Sequence, residues 1–232
     1  YRRHIKVYLS FVCTIFSIRM QKITILFLIL LSRFQVNGQD KFDLDEIRVS
    51  VLDSNSEYYY PKLTRDFSAA PGKFSLAKGM HIYYGQLYAA AFNPSNFKDE
   101  RKEFNRLLDE ETWAKAIEIG QKILAENPVD LEILSKLAYC YKKDGQRAKS
   151  TLVENQTGAI IKAILASGKG NEATPYRVIQ IRDEYVVMGE KDIVGISRQT
   201  RVRTYSTIDL WTVKHPNAKD YEMLHFEVLR AY

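Results

Sequence analysis

The chain has 232 residues and a formal charge of +6, enough for one large domain or two small ones. Six of its 34 basic residues and none of its 28 acidic ones fall in residues 1–38, so the remainder is neutral. Binding a phosphate backbone needs clustered excess Lys and Arg, and that neutrality argues against nucleic acid. Only two cysteines occur, Cys13 and Cys140, too few for a structural zinc site. Cys140, between Tyr139 and Tyr141 in an apolar helical pattern, reads as a small buried hydrophobe.

Residues 1–38 read as a leader. Met20 is the expected start, Lys22 supplies a positive charge, and I-T-I-L-F-L-I-L-L over 23–31 forms an apolar core before Gly38 and Gln39. Nine residues, eight of them apolar, suit a secretory signal and fall short of the ~20 that a spanning helix needs. Arg19 and Lys22 interrupt the combined run with Val7–Ile18, so no stable span is expected after cleavage. The expectation is an exported product, periplasmic or secreted. No cysteine follows the core to take a lipid.

Residues 39–56 read as a polar N-terminal arm, with D-S-N-S at Asp53–Ser56 as a turn. A single domain is expected over 57–232. A helix begins near Tyr58, with Pro61 in its first turn, where a missing N–H costs nothing. Leu76, Met80, Tyr83, Tyr84 and Leu87 recur at helical spacing, and Asn93-Pro94 ends that run. Asn96 is placed to cap a third helix holding Phe97, Phe104, Leu107 and Leu108.

The clearest pattern runs from Thr112 to Gly145. Thr112 opens a helix with Trp113, Ala116, Ile117, Gly120, Ile123 and Leu124 on one face, and Asn127-Pro128 stops it. Asp130 then caps a helix whose inward stripe is Ile133, Leu134, Leu137, Ala138 and Tyr141, ending at Gly145. Two such helices with so short a break pack antiparallel. A further helix is expected over 147–166, burying Ile160, Ile161, Ile164 and Leu165.

A-I-E-I-G-Q-K-I-L-A-E-N-P-V-D followed by L-A-Y-C-Y-K-K-D-G resembles the junction between two tetratricopeptide repeats, over about one and a half units. A stacked array needs more units, so the resemblance implies a hairpin and not a solenoid.

After Ser167–Asn171 the pattern changes. Residues 176–182, 201–213 and 222–230 alternate and are rich in β-branched types, and K-H-P-N-A-K-D-Y joins the last two as a hairpin. The expected fold is α+β: helices over 57–166 packed with a small antiparallel sheet over 175–232.

Y-Y-Y-P-K-L (58–63), I-Y-Y-G (82–85), E-N-P-V-D-L (126–131), S-G-K-G-N (167–171) and V-I-Q-I-R-D-E-Y (178–185) together resemble the family catalogued as "domain of unknown function 4919", exported proteins typical of Bacteroidota. Their shared order over most of 55–232 carries the resemblance. It implies export and a mixed fold, and it carries over no substrate, cofactor or catalytic residue.

Four features are candidates for chemistry or binding. S-G-K-G-N suggests a phosphate loop, but such a loop needs a strand before it and a helix after; here the expected order is reversed, and the glycines read as a helix stop and tight connection. Asp183 and Glu184 suggest paired carboxylates, yet on a strand neighbours point to opposite faces, and they read as solvated charges at a strand end. His215 and His225 form no metal-binding motif, but the last hairpin offers to bring them together for metal or acid–base work. Tyr59, Tyr60, Tyr83, Tyr84 and Tyr88 suit either a partner surface or helix packing.

No glycine-flanked serine nucleophile, metal motif or cofactor motif is present. The leading expectation is an exported, non-enzymatic protein that binds a protein or peptide, its oligomeric state left open. The alternative is an exported hydrolase or metal-dependent enzyme using His215 and His225. Glycan or nutrient capture is a third reading by fold analogy alone.

Overall fold

The computed structural model describes residues 42–69, 74–89, 92–93 and 96–230. These belong to a unit that begins at Phe42. The expected leader, its Met20 start and Cys13 lie outside the described residues.

Helix α1, Leu44–Leu52, occupies the stretch expected as an arm. Asp43 caps it, its carboxylate accepting from the N–H groups of Asp45 and Glu46. Only Ile47 and Val51 are buried, too few apolar positions to announce a helix. Its stability comes from packing on α3. The D-S-N-S turn follows, closed by Asn55 N–H on Asp53 and Tyr58 N–H on Ser56.

Helix α2, Tyr60–Ala69, carries Pro61 in its first turn and buries Leu63 and Phe67. Helix α3, Leu76–Gly85, is capped by Ser75 and extended by a 3-10 turn, Gln86–Tyr88. Every residue from Gly79 to Leu87 is buried, so beyond its first turn α3 has no solvent face. It contacts α1, α2 and α7 and forms the axis of the helical layer.

Helix α4 is Lys98–Asp109. Its cap position is Phe97, in the left-handed region at φ 65° and without a side-chain cap bond, so Asn96 does not cap it as expected. Asp99 and Glu100 in the first turn complement the helix dipole instead. Helices α5, Trp113–Glu126, and α6, Leu131–Lys143, pack side by side. Asp130 caps α6 through the N–H of Ile133. Gly120 lies where a Cβ would come within 3.0 Å of Leu137 and Phe104, which explains the close approach of α4, α5 and α6. Helix α7, Arg147–Ala166, packs against both α6 and α3.

The chain then turns through Gly168–Thr174 into β1, Tyr176–Val178. The strand expected to run on to 182 stops there, and helix α8, Ile181–Glu190, follows. The β-branched content of Val178, Ile179 and Ile181 suggested a strand. The helix prevails because Asp183 and Glu184 sit in its first turn, where carboxyl groups favour a helix N-terminus, and both find partners in the core.

Strands β2 (Val194–Val202), β3 (Ser206–Lys214) and β4 (Glu222–Leu229) complete a four-stranded sheet of order β1-β4-β3-β2. The single strand expected over 201–213 is divided by a turn closed by Arg203 N–H on the Ser206 carbonyl. Strand β2 escaped notice because it is exposed at every position but Gly195 and so carries no core pattern. The β3–β4 hairpin forms as expected, and β1 adds to β4 in parallel, making the sheet mostly antiparallel. Val178, Trp211, Val213, Leu224, Phe226 and Val228 join the helices in one continuous core. Among the described residues no helix is long and apolar enough to cross a membrane.

Gly170 has φ 73°, and a Cβ there would lie 2.5 Å from the Tyr176 ring. Gly158, inside α7, faces open space. Gly170→Ala is expected to lower unfolding free energy by about 1–3 kcal/mol, and Gly158→Ala to raise it by roughly 0.5–1 kcal/mol. Urea denaturation of the two variants reads both signs.

Candidate functional site

The V-I-Q-I-R-D-E-Y segment spans the end of β1 and the first turn of α8, and it gathers the buried polar chemistry of the protein. Asp183 and Glu184 are consecutive on a helix, so they diverge by about 100° and reach different partners.

Asp183 is 1% exposed. Its Oδ2 accepts from the Tyr83 hydroxyl at 2.6 Å, and that hydroxyl accepts from the Ile179 N–H at 3.0 Å. Burial pushes the Asp183 carboxyl up to about 7, against the opposing pull of the Tyr83 bond, while the charge of Asp130 raises it and Arg182 lowers it.

Glu184 is fully buried. Its Oε2 accepts from the Trp211 indole N–H at 2.7 Å. Burial pushes its carboxyl up to about 8; the Trp211 bond opposes this, and Asp209 adds to it through both charge and a hydrogen bond. Asp209 is also fully buried, accepts from the Thr200 hydroxyl, and lies 3.6 Å from the Arg198 guanidinium. Glu184 Oε1 and Asp209 Oδ2 have no donor from another described group. Two neighbouring carboxylates with no donor between them repel one another, so the neutral form of Glu184 is favoured there.

Beside this lies an ion network. Arg101 on α4 grips Asp130 with both terminal guanidinium nitrogens and holds Glu132 at 3.1 Å. Lys136 and Arg182 also reach Glu132, at 2.6 and 3.8 Å. The network ties α4, α6 and α8 together around a buried Asp130 that also caps α6.

Two hollows open on either side of α8's first turns. One, of about 570 Å³, lies between α6, α7 and α8 and includes Ser135, Thr157, Ile161 and Gly189. The other is shallower and includes Gln180, Ile181 and Val228. Arg182 and Tyr185 line both. Tyr185 is 55% exposed and sits edge-on against the buried Trp211 ring, centroids 5.3 Å apart.

Several expected sites are corrected by this geometry. Asp183 and Glu184 are not solvated strand-end charges but buried helix residues. Tyr83 and Tyr84 are core residues and cannot belong to a binding surface; Tyr84 donates to the Arg177 carbonyl at 2.9 Å. Tyr59, Tyr60 and Tyr88 are half-buried, and Tyr88 donates to the Leu44 carbonyl.

His225 pairs across from Leu210, whereas His215 lies past the end of β3. At ~3.3 Å per residue the five-residue offset separates them by about 16 Å. The hairpin therefore does not bring them together, nor to Asp183 and Glu184, since Leu210 and His225 lie on the sheet face opposite Asp209 and Trp211.

The S-G-K-G-N loop has a helix before it and a strand after. Lys169 and Gly170 N–H groups are taken by the Thr174 carbonyl, as befits a tight connection. Among the described residues no three His, Cys, Asp or Glu side chains gather as a metal site. Trp211 and Tyr185 were not picked out as site residues from sequence, and Asp209 was considered only as a neighbour of the two histidines. The available signal was I-D-L-W, which places an Asp on the same strand face as a core Trp.

Asp130→Ala would leave Arg101 buried without its main counter-charge. It is expected to cost about 3–5 kcal/mol, read by urea denaturation. The α8 carboxyls give a pH signature of definite sign. Both bind protons more tightly folded than unfolded, so the contribution of Asp183 is full below 3.8 and lost as pH rises towards about 7, and that of Glu184 is full below 4.5 and lost towards about 8. Glu184→Gln keeps an acceptor for Trp211 and offers Asp209 an amide donor. Its unfolding free energy, measured from pH 5 to 9, should lose a slope of about 1 kcal/mol per pH unit; an unchanged slope would refute the assignment.

The family described as "Domain of unknown function (DUF4919)" matches residues 45–232, and the chain belongs to it. No curated protein and no solved structure matches the chain.

Proposed function

We propose that this DUF4919 protein is an exported, non-enzymatic binding protein whose protein or peptide partner seats against Tyr185 and Arg182. The observation that carries the reading is the ridge formed by these two side chains between two hollows. A partly exposed tyrosine braced by a buried tryptophan is a pre-ordered anchor, rich in contact area and costing little conformational entropy on binding. Charged Glu132, Lys136, Arg182 and Glu190 rim the larger hollow and suit a polar rim around an apolar contact.

Accessibility favours binding over chemistry. The carboxyls with shifted protonation, Asp183 and Glu184, are closed off from solvent, whereas acid–base catalysis needs its group within hydrogen-bond reach of a substrate. In this reading the α5–α6 pair is a tetratricopeptide-like hairpin of an exported Bacteroidota-type protein, with α7 and α8 walling the groove. Residues 20–38 act as the signal that carries the product to the periplasm or beyond.

A photo-crosslinking residue in place of Tyr185, compared with one in place of the exposed Tyr139 on α6, tests the proposal in cells. A single discrete adduct at 185, absent at 139 and competed away by excess wild-type protein, is expected. Equal or absent labelling at the two positions counts against it.

A further inference from the structure

The two edges of the sheet are built differently. Strand β1 is three residues long, and its outer backbone groups are taken by side chains. Arg177 N–H donates to Ser167 Oγ at 2.8 Å, the Arg177 carbonyl accepts from Tyr84 at 2.9 Å, and Ile179 N–H donates to Tyr83 at 3.0 Å. That edge is closed.

Strand β2 is nine residues long and pairs only with β3. Among the described residues no other backbone or side-chain group bonds to its backbone. An antiparallel strand paired on one side leaves alternate N–H and C=O groups pointing outward, a ready template for another strand. A register shift between Gly195 and Ser197 bends the start of β2, but from Ser197 to Val202 the pairing with β3 is unbroken. This leaves a regular, solvent-facing run, S-R-Q-T-R-V.

The chemistry of that run points to its partner. From Val194 to Tyr205 there are three arginines, Arg198, Arg201 and Arg203, and no Asp or Glu. Arg198 is engaged by Asp209, and Arg203 is 61% exposed and 4.0 Å from Glu227. Arg201 is exposed and has no ion pair among the described residues. Two copies of β2 paired antiparallel about their centres would set Arg198 against Arg198, and like charges directly opposed destabilise a strand pair. An acidic strand would meet the reverse situation.

We propose that Ser197–Val202 is a strand-addition site that takes up an extended, acidic segment of a partner protein as a fifth strand, its carboxylates beside Arg201 and Arg203. Backbone bonds supply the affinity and the arginines select the charge. This surface is separate from the Tyr185 ridge, and neither proposal depends on the other.

The test uses the full chain and a fluorescent heptapeptide alternating Thr or Val with Glu, against the same peptide with Lys in place of Glu. Anisotropy should show binding of the Glu peptide only. Arg201→Glu with Arg203→Glu should weaken it at least tenfold and let the Lys peptide bind instead, a rescue that a misfolded variant would not give. Hydrogen exchange should slow at the Ser197–Val202 amides when the Glu peptide is present.

Four results overturn the proposal. One is no binding of the Glu peptide, and another is binding without protection of those amides. The third is protection in the free protein that grows with its concentration, which would make a second copy the occupant. The last is protection in the free protein that disappears on removing residues 1–41, which would make the occupant part of this chain.

Discussion

Two consecutive carboxyl groups, Asp183 and Glu184, sit in the interior with almost no exposure to water, and the architecture is organised around giving each a donor. A buried carboxyl without a partner costs several kcal/mol, and more if charged. Asp183 takes its bond from Tyr83 on the central helix α3, and Glu184 takes its bond from Trp211 on the inner strand β3. Helix α8 is thereby pinned to the helical layer on one side and to the sheet on the other. Tyr83 also receives the Ile179 N–H, so the same hydroxyl terminates β1 and starts α8.

The two carboxyls with raised pKa values, Asp183 and Glu184, are buried and hold α8 between Tyr83 and Trp211. What α8 presents outward is of a different kind: an aromatic side chain, an arginine and hollows on either side. In the proposed function, the rigidity of this ridge is supplied from below, because Tyr185 rests on Trp211, and Trp211 is held by Glu184. The Glu184–Asp209 contact reaches onward through Thr200 and Arg198 to β2.

Much of the fold was legible in the residues. The α5–α6 pair, α7, the Asp130 cap, Pro61 in a first turn and the β3–β4 hairpin all follow from periodicity and local stop signals. Each repeats a pattern over two or more turns, or marks an end with a residue whose backbone chemistry is specific. Helix α1 was hidden because it buries only Ile47 and Val51. Strand β2 was hidden because it buries almost nothing, and a strand with no inward face has no alternation to read.

The sequence by itself determined the neutral charge of the chain beyond residue 38, the mixed architecture and the helical hairpin, since these rest on composition and on neighbours a few residues apart. Tertiary structure alone decided that Tyr83 and Tyr84 are core, that His215 and His225 stand apart, and that Asp183 and Glu184 belong to a helix. The physical reason is distance along the chain. Asp183 meets a hydroxyl one hundred positions earlier, and Glu184 meets an indole twenty-seven positions later. No local pattern encodes such pairings; they exist only once burial has made an unsatisfied carboxyl too costly to leave alone.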